Sequence, residues 1–207
     1  MARMSKTRRV MIGGAVGARG TVAAAKWLSA GGTPSAAEGP FYPTPPMRRA
    51  DVDNDLVKIA GMVHQAGGEV IMLKGRVLDT DGAPRVGWRV EIWQCDMNGK
   101  YLHTGDAQAV AFDTGFQGFG HDITGEDGSY AFRTIKPVIY PGRTPHIHVK
   151  VFDGTRARLT TQFYIADFPT NTKDNLFNRL SRAGRAAVSM VFVQGADAEE
   201  ATVNLIV

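Results

Sequence analysis

Residues 140–152 read YPGRTPHIHVKVF. A Pro- and Gly-rich turn gives way to an alternation in which Ile147, Val149 and Val151 are apolar, while His146, His148 and Lys150 fall between them. Residues two apart on a strand share a face. The spacing therefore predicts a strand that sends its aliphatic side chains to a core and both histidines to the opposite face. Two imidazoles on one rigid element can serve a metal site. The same pair also occurs in zinc sites, or as two unbound histidines at a strand start.

The same period extends outward. Val70 to Leu78 reads as a strand closed by the turn Asp79-Thr80-Asp81-Gly82. Trp88 to Gln94 alternates, with Trp88, Val90 and Ile92 on one face and Arg89 and Glu91 on the other. A turn at Asp96 to Gly99 leads to Tyr101, and Glu126-Asp127-Gly128 opens a strand through Tyr130 and Phe132 to Ile135. Val149 to Phe152, Thr160 to Ile165, Val188 to Val193 and Thr202 to Val207 complete the expected strands, and Asn171 to Ser181 is the expected short helix. There is no internal repeat. The reading is a mainly β chain: an antiparallel β-sandwich core with long loops and little helix.

The chain has 207 residues, 43% hydrophobic and 21% charged, which fits one globular domain. Its basic pI of about 9.3 comes from one end. Arg3, Lys6, Arg8, Arg9, Arg19 and Lys26 all precede Glu38, and removing these six from 24 basic residues leaves 18 against 20 acidic ones. The body thus needs no nucleic-acid partner to explain its charge. Residues 1–37 are expected to be a leader, with the domain at 38–207. The twin arginines Arg8-Arg9 before a Gly/Ala-rich stretch resemble a twin-arginine export signal, although Arg19 interrupts the apolar part. The alternatives for location are thus export and a basic tail on a cytoplasmic protein. No run reaches the ~18–20 apolar residues of a membrane span. From Thr33-Pro34-Ser35 to Pro45-Pro46 an extended arm should enter the domain. The single cysteine, Cys95, lies in an apolar-rich segment and reads as a buried thiol.

Two tyrosines accompany the histidine pair. Tyr140 is bracketed by prolines, and Tyr101 follows a glycine turn. Phenolate is a hard donor suited to a trivalent cation, imidazole a borderline one, so the set Tyr101, Tyr140, His146 and His148 suits ferric iron. Each tyrosine alone would pass as a packed aromatic. His103 reads as near the site or on the surface, His64 and His121 as solvated, and Tyr130 and Tyr164 as core or pocket wall.

The flanks of these residues resemble one family. Val90-Glu91-Ile92-Trp93-Gln94, Asn98-Gly99-Lys100-Tyr101-Leu102-His103, the run from Thr124 to Pro137, the run from Tyr140 to His148, and the arm Glu38-Gly39-Pro40-Phe41-Tyr42-Pro43 are similar to segments of the intradiol ring-cleavage dioxygenases. The likeness covers roughly residues 35–195. It implies one non-haem Fe(III) per chain, held by Tyr101, Tyr140, His146 and His148, with a catechol-type diol and O2 as substrates and a muconate-type dicarboxylate as product. It implies that Tyr140 leaves the metal and serves as a base while Tyr101 stays. Arg143 would stand beside the substrate, Gln162 would support the ligands, and Gly39, Pro40 and Tyr42 would line the pocket. Catechol and hydroxyquinol members usually carry a helical region before the sandwich, whereas protocatechuate enzymes divide arm and ligands between two chains. Here both lie in one chain, so a self-sufficient chain or a homo-oligomer is expected.

Two rivals remain at this point. A transthyretin-like β-sandwich binding module shares the style of strand and turn, but has no reason to keep two tyrosines, His-x-His and Arg143 together. A zinc hydrolase on His146 and His148 would want a further ligand and a general base, which the neighbouring sequence does not offer.

Overall fold

The structure is a computed structural model that describes residues 31–207. The basic segment before Gly31, with its twin arginines, lies outside the described residues.

Among the described residues, ten strands form two five-stranded sheets. In the first, β1 (Val70–Leu78) is central. It pairs antiparallel with β4 (Ser129–Ile135) on one side, and parallel with β9 (Glu199–Thr202) and β10 (Leu205–Ile206) on the other, while β8 (Phe192–Gln194) closes the edge against β9. The second runs in the order β3 (Phe119–Ile123), β2 (Arg89–Trp93), β5 (His146–Asp153), β6 (Arg156–Ile165), β7 (Ser189–Met190). The long ladders are antiparallel, and the parallel strand pairs are those of β9, β10 and β7.

The two sheets enclose one core. Ile71, Leu73 and Val77 of β1, Phe132 of β4, Val90 and Ile92 of β2, Ile147, Val149 and Val151 of β5 and Phe163 of β6 are fully buried in it. Each such aliphatic side chain contributes about 1.5–3 kcal/mol, so the period-two pattern fixes which way β5 faces. A slip by one residue would move Ile147, Val149 and Val151 out and the histidines in. Gly75 of β1 lets the carbonyl of Val203 and the Tyr130 ring approach, since a Cβ there would lie 1.8 Å from that carbonyl oxygen.

A second apolar cluster sits on the far side of the second sheet. Trp93, Cys95, Tyr101 and Phe119 are buried there beneath Phe41, Tyr42, Val52, Val138 and Tyr140. The arm therefore covers a sheet face that would otherwise be solvated. This is why Glu91, on the expected polar face of β2, is only 2% exposed. Its carboxylate accepts from Tyr42 Oη at 2.6 Å and is ion-paired with Arg89, whose Nε lies 2.9 Å away. Residues 33–37 are tied to the body: the Thr33 amide donates to Ile206 O, the Ala36 amide to Thr160 O, and Thr161 Oγ1 to Pro34 O.

Several local expectations are corrected. The segment Asn171–Ser181 is not one helix. A 3-10 turn at Pro169–Lys173 is followed by a helical turn at Asn175–Asn178 and a helix at Arg182–Ala187. Asp174 and Ser181 each cap a new start with their side chains. Val188 to Val193 crosses between sheets, with β7 on one and β8 on the other. Thr202 to Val207 is interrupted where Asn204 Oδ1 takes the Arg76 amide. His121 was expected in solvent, but it lies half-buried on β3 opposite Glu91, and burial lowers its pKa. No helix among the described residues is long and apolar enough to cross a membrane.

Candidate metal centre

Neighbouring strands bring the site's wall together. His148 lies opposite Trp93 on β2 and opposite Gln162 on β6, and His146 lies opposite Tyr164. His146 Nδ1 is 2.7 Å from Thr144 O. A proton on Nδ1 donated to that carbonyl leaves the Nε2 lone pair free. His146 Nε2 stands 3.2 Å from His148 Nε2 and 3.3 Å from the Tyr101 hydroxyl. Two nitrogens each about 2.1 Å from one metal ion sit roughly 3 Å apart, so the three atoms converge as donors to a common ion would. Trp93 stacks on His148, with ring centroids 4.7 Å apart and planes 11° from parallel. The His148 Nδ1 and Trp93 Nε1 atoms are buried without hydrogen-bond partners.

Tyr101 leaves the Asp96–Gly99 turn and is anchored through its amide, which donates to Asp106 Oδ2 at 2.8 Å. Tyr140 and Arg143 are the ends of one tight turn, in which the Arg143 amide donates to Tyr140 O at 2.9 Å. Pro141 and Gly142 occupy its centre, and Gly142 has φ +79°, as a type II turn requires. The Tyr140 ring meets the Tyr101 ring edge-on at 5.3 Å.

Electrostatics favour neutral imidazoles. Burial, with the Arg143 charge, brings His146 down to about 4. Burial, then His146 and Arg143, hold His148 well below its ordinary range. Tyr101 is pushed well above the usual phenol range, first by burial. Tyr140, less buried, is raised as well, again first by burial. A buried phenol beside two neutral imidazoles gains a stable anion only if a cation shares the space, and a bound metal reverses the pKa logic in that way. Among the described residues no group of three or more His, Cys, Asp or Glu side chains could hold a metal ion. A metal at this place would therefore rely on the phenolates, and two hard anionic oxygens with two imidazoles fit a ferric ion.

Arg143 reaches the wall from the turn. Its Nη2 donates to Gln162 Oε1 at 2.7 Å and its Nε to Asp174 Oδ2 at 2.7 Å. Gln162 Oε1 also accepts from Tyr164 Oη at 2.9 Å, and Gln162 Nε2 donates to Ala37 O. Burial alone would raise the Asp174 carboxyl, but its Phe177, Arg143 and Thr144 donors hold it below the usual range.

The arm supplies the cover. Gly39, at φ +79°, packs on His148, and Pro40 is exposed. The Tyr42 ring stands edge-on to Trp93, and its hydroxyl turns to Glu91, away from the histidines. The residue between them had no sequence signal of its own: Phe41 stacks on Tyr101 at 4.9 Å and meets Tyr140 edge-on at 5.6 Å. Trp93 and Asp174 were likewise not singled out, since each acts through a partner distant in sequence. His103 touches the edge of Phe41, and His64 is exposed beside Asp113. A cavity of about 320 Å³ adjoins this wall, lined by residues 34–37 of the arm, Gln162 and Tyr164 of β6, and Leu176, Arg179 and Leu180.

Residues 37–202 match the family model described as Dioxygenase. The chain is 38% identical over 142 residues to the protocatechuate 3,4-dioxygenase beta chain of Burkholderia cepacia, covering 65% of this chain and 60% of that one. It is 34% identical over 128 residues to a hydroxyquinol 1,2-dioxygenase of a Rhizobium species, covering 53% and 42%. Such matches span about half the length of these curated relatives. Among solved structures, the dioxygenase domain of a dioxygenase carbohydrate-binding protein fusion from Streptomyces sp. SirexAA-E is 33% identical, with a TM-score of 0.63, covering 86% of this chain and 98% of that one. An intradiol ring-cleavage dioxygenase from Tetranychus urticae, at 20% identity and a TM-score of 0.66 over 85% and 94% of the two chains, shares the fold.

Proposed function

The chain belongs to the intradiol ring-cleavage dioxygenase family, and from that we propose that it inserts O2 between the two hydroxylated carbons of a catechol-type aromatic, giving a muconate-type dicarboxylate. Tyr101, Tyr140, His146 and His148 hold one non-haem Fe(III). The observation that carries this reading is that His148 Nε2 and the Tyr101 hydroxyl lie 3.2 and 3.3 Å from His146 Nε2, with all three side chains buried.

Fe(III), when bound, supplies Lewis acidity that eases deprotonation of the diol and draws electron density from the ring. The chain's own groups do the rest. The Thr144 carbonyl fixes the tautomer of His146, so that Nε2 faces the site. Burial keeps both imidazoles neutral, so they compete for the metal without first losing a proton. Tyr140 is the less buried phenol, so as a phenolate in the iron-loaded site it would be the one to take a diol proton at its oxygen. Tyr101, pinned under Phe41 and by the hydrogen bond its amide donates to Asp106 Oδ2, stays. Arg143 offers a fixed cation where negative charge develops on the ring.

Metal analysis and visible absorption test the proposal, before and after adding catechol without oxygen. One iron per chain, with a tyrosinate-to-iron band that shifts on catechol, is expected. A colourless protein that resists iron loading overturns it and favours a binding module, while zinc in its place favours a hydrolase.

A further inference from the structure

We infer that Asp174 is a positioning residue for this site, setting the direction of Arg143. The inference rests on the reading of Arg143 as the cation beside the substrate. Asp174 lies 31 residues from Arg143 in sequence, on the far side of β5 and β6. Its side chain is 0% exposed, and each oxygen serves a different element. Oδ1 accepts from the amides of Leu176 and Phe177, both at 2.9 Å, and caps the helical turn Asn175–Asn178. Oδ2 accepts from Arg143 Nε at 2.7 Å and from the Thr144 amide at 3.1 Å. The carbonyl of that same Thr144 is the partner of His146 Nδ1.

Asp174 thus joins the helical turn to the ligand loop through a single carboxylate. Arg143 is held at two points, Nε on Asp174 and Nη2 on Gln162. A planar guanidinium with two fixed donors has its plane determined. With Gln162 alone it could swing about that contact, carrying its charge off the position where the ring develops negative charge. Misplacement by about 1 Å costs about 10²-fold in rate. A plain structural carboxylate would need only the helix cap. The second oxygen, buried and spent wholly on Arg143 and Thr144, is what the cap leaves unexplained.

Two variants separate the roles. Asp174→Asn and Asp174→Ser both keep a good N-cap, and neither offers Arg143 and Thr144 the carboxylate oxygen. In the iron-loaded full chain we expect iron content and the visible band near wild type. We expect kcat to fall 10- to 100-fold with KM little changed, and Arg143→Lys to add little on top. In the full chain without metal, the Arg143 Nε–H resonance should be protected from exchange in the parent and exchange fast in both variants. A role confined to stability would lower the unfolding midpoint and leave that resonance and kcat per folded molecule as they were, which overturns the inference. So would Asp174 and Arg143 losses that multiply. If the parent cleaves no diol, the proposed function fails, while the Arg143 resonance still decides whether Asp174 holds it.

Discussion

Gly39 of the arm lies against His148, so close that a Cβ in its place would sit 3.2 Å from the imidazole Cε1. With φ at +79°, the position also disfavours any L side chain. Gly39→Ala should cost about 1–2 kcal/mol of stability from the backbone conformation. It should also push the His148 ring, lowering iron occupancy. Thermal unfolding and metal analysis read the two effects separately. Full loading with an unshifted absorption band would show that the arm does not seat this ligand.

Tyr140 is half-buried at a turn, and it is its ring that meets Tyr101 and Phe41. Tyr140→Phe should therefore leave the unfolding free energy within about 0.5 kcal/mol. It should remove part of the tyrosinate-to-iron colour and lower turnover by about 10²-fold or more. Retention of full turnover would sink the assignment of Tyr140 as ligand and base.

His146 gives a pH dependence with a definite sign. In the metal-free protein its folded pKa is lowered from 6.5 to about 4, so between those values the unfolded chain binds more protons. Stability should be full above about pH 6.5 and fall as the pH drops towards 4, by about 3 kcal/mol. The lowered carboxyls of Asp106, Asp113 and Asp174 act beneath this window. Urea unfolding at pH 7.5, 5.5 and 4.5 checks it, and His146→Gln should make the profile shallower, the remaining slope coming from His148 and His121, whose pKa values are lowered as well. A flat profile in the parent would contradict a buried neutral imidazole.

Cys95 is 1% exposed beneath the arm, and burial, then Asp96, push its thiol up to about 12. A thiol-reactive dye at pH 8 should label it only as fast as the protein unfolds. Rapid labelling of the native protein would mean that the cluster under Phe41 and Tyr42 opens readily.

Most of the strands were legible, because their signal is local. Val70–Leu78 matches its expectation to the residue. The face of β5 follows from Ile147, Val149 and Val151 alone. The misses share a cause. Phe119–Ile123 reads Phe-Gly-His-Asp-Ile, a poor strand by itself, and it is one because it pairs with β2. Val188–Val193 looks like one apolar run, yet it serves two sheets.

By itself the sequence determined a period-two sandwich, the common face of His146 and His148, and the place of Tyr140 at a Pro-Gly turn, because each depends on residues a few positions apart. Only the tertiary structure decided that Phe41 covers Tyr101, that Trp93 lies flat on His148, that Glu91 is buried, and that Asp174 holds Arg143. These contacts join segments from different parts of the chain. They form only when the arm and the loop after β6 dock on a finished sheet, and neither side-chain periodicity nor turn chemistry encodes that docking.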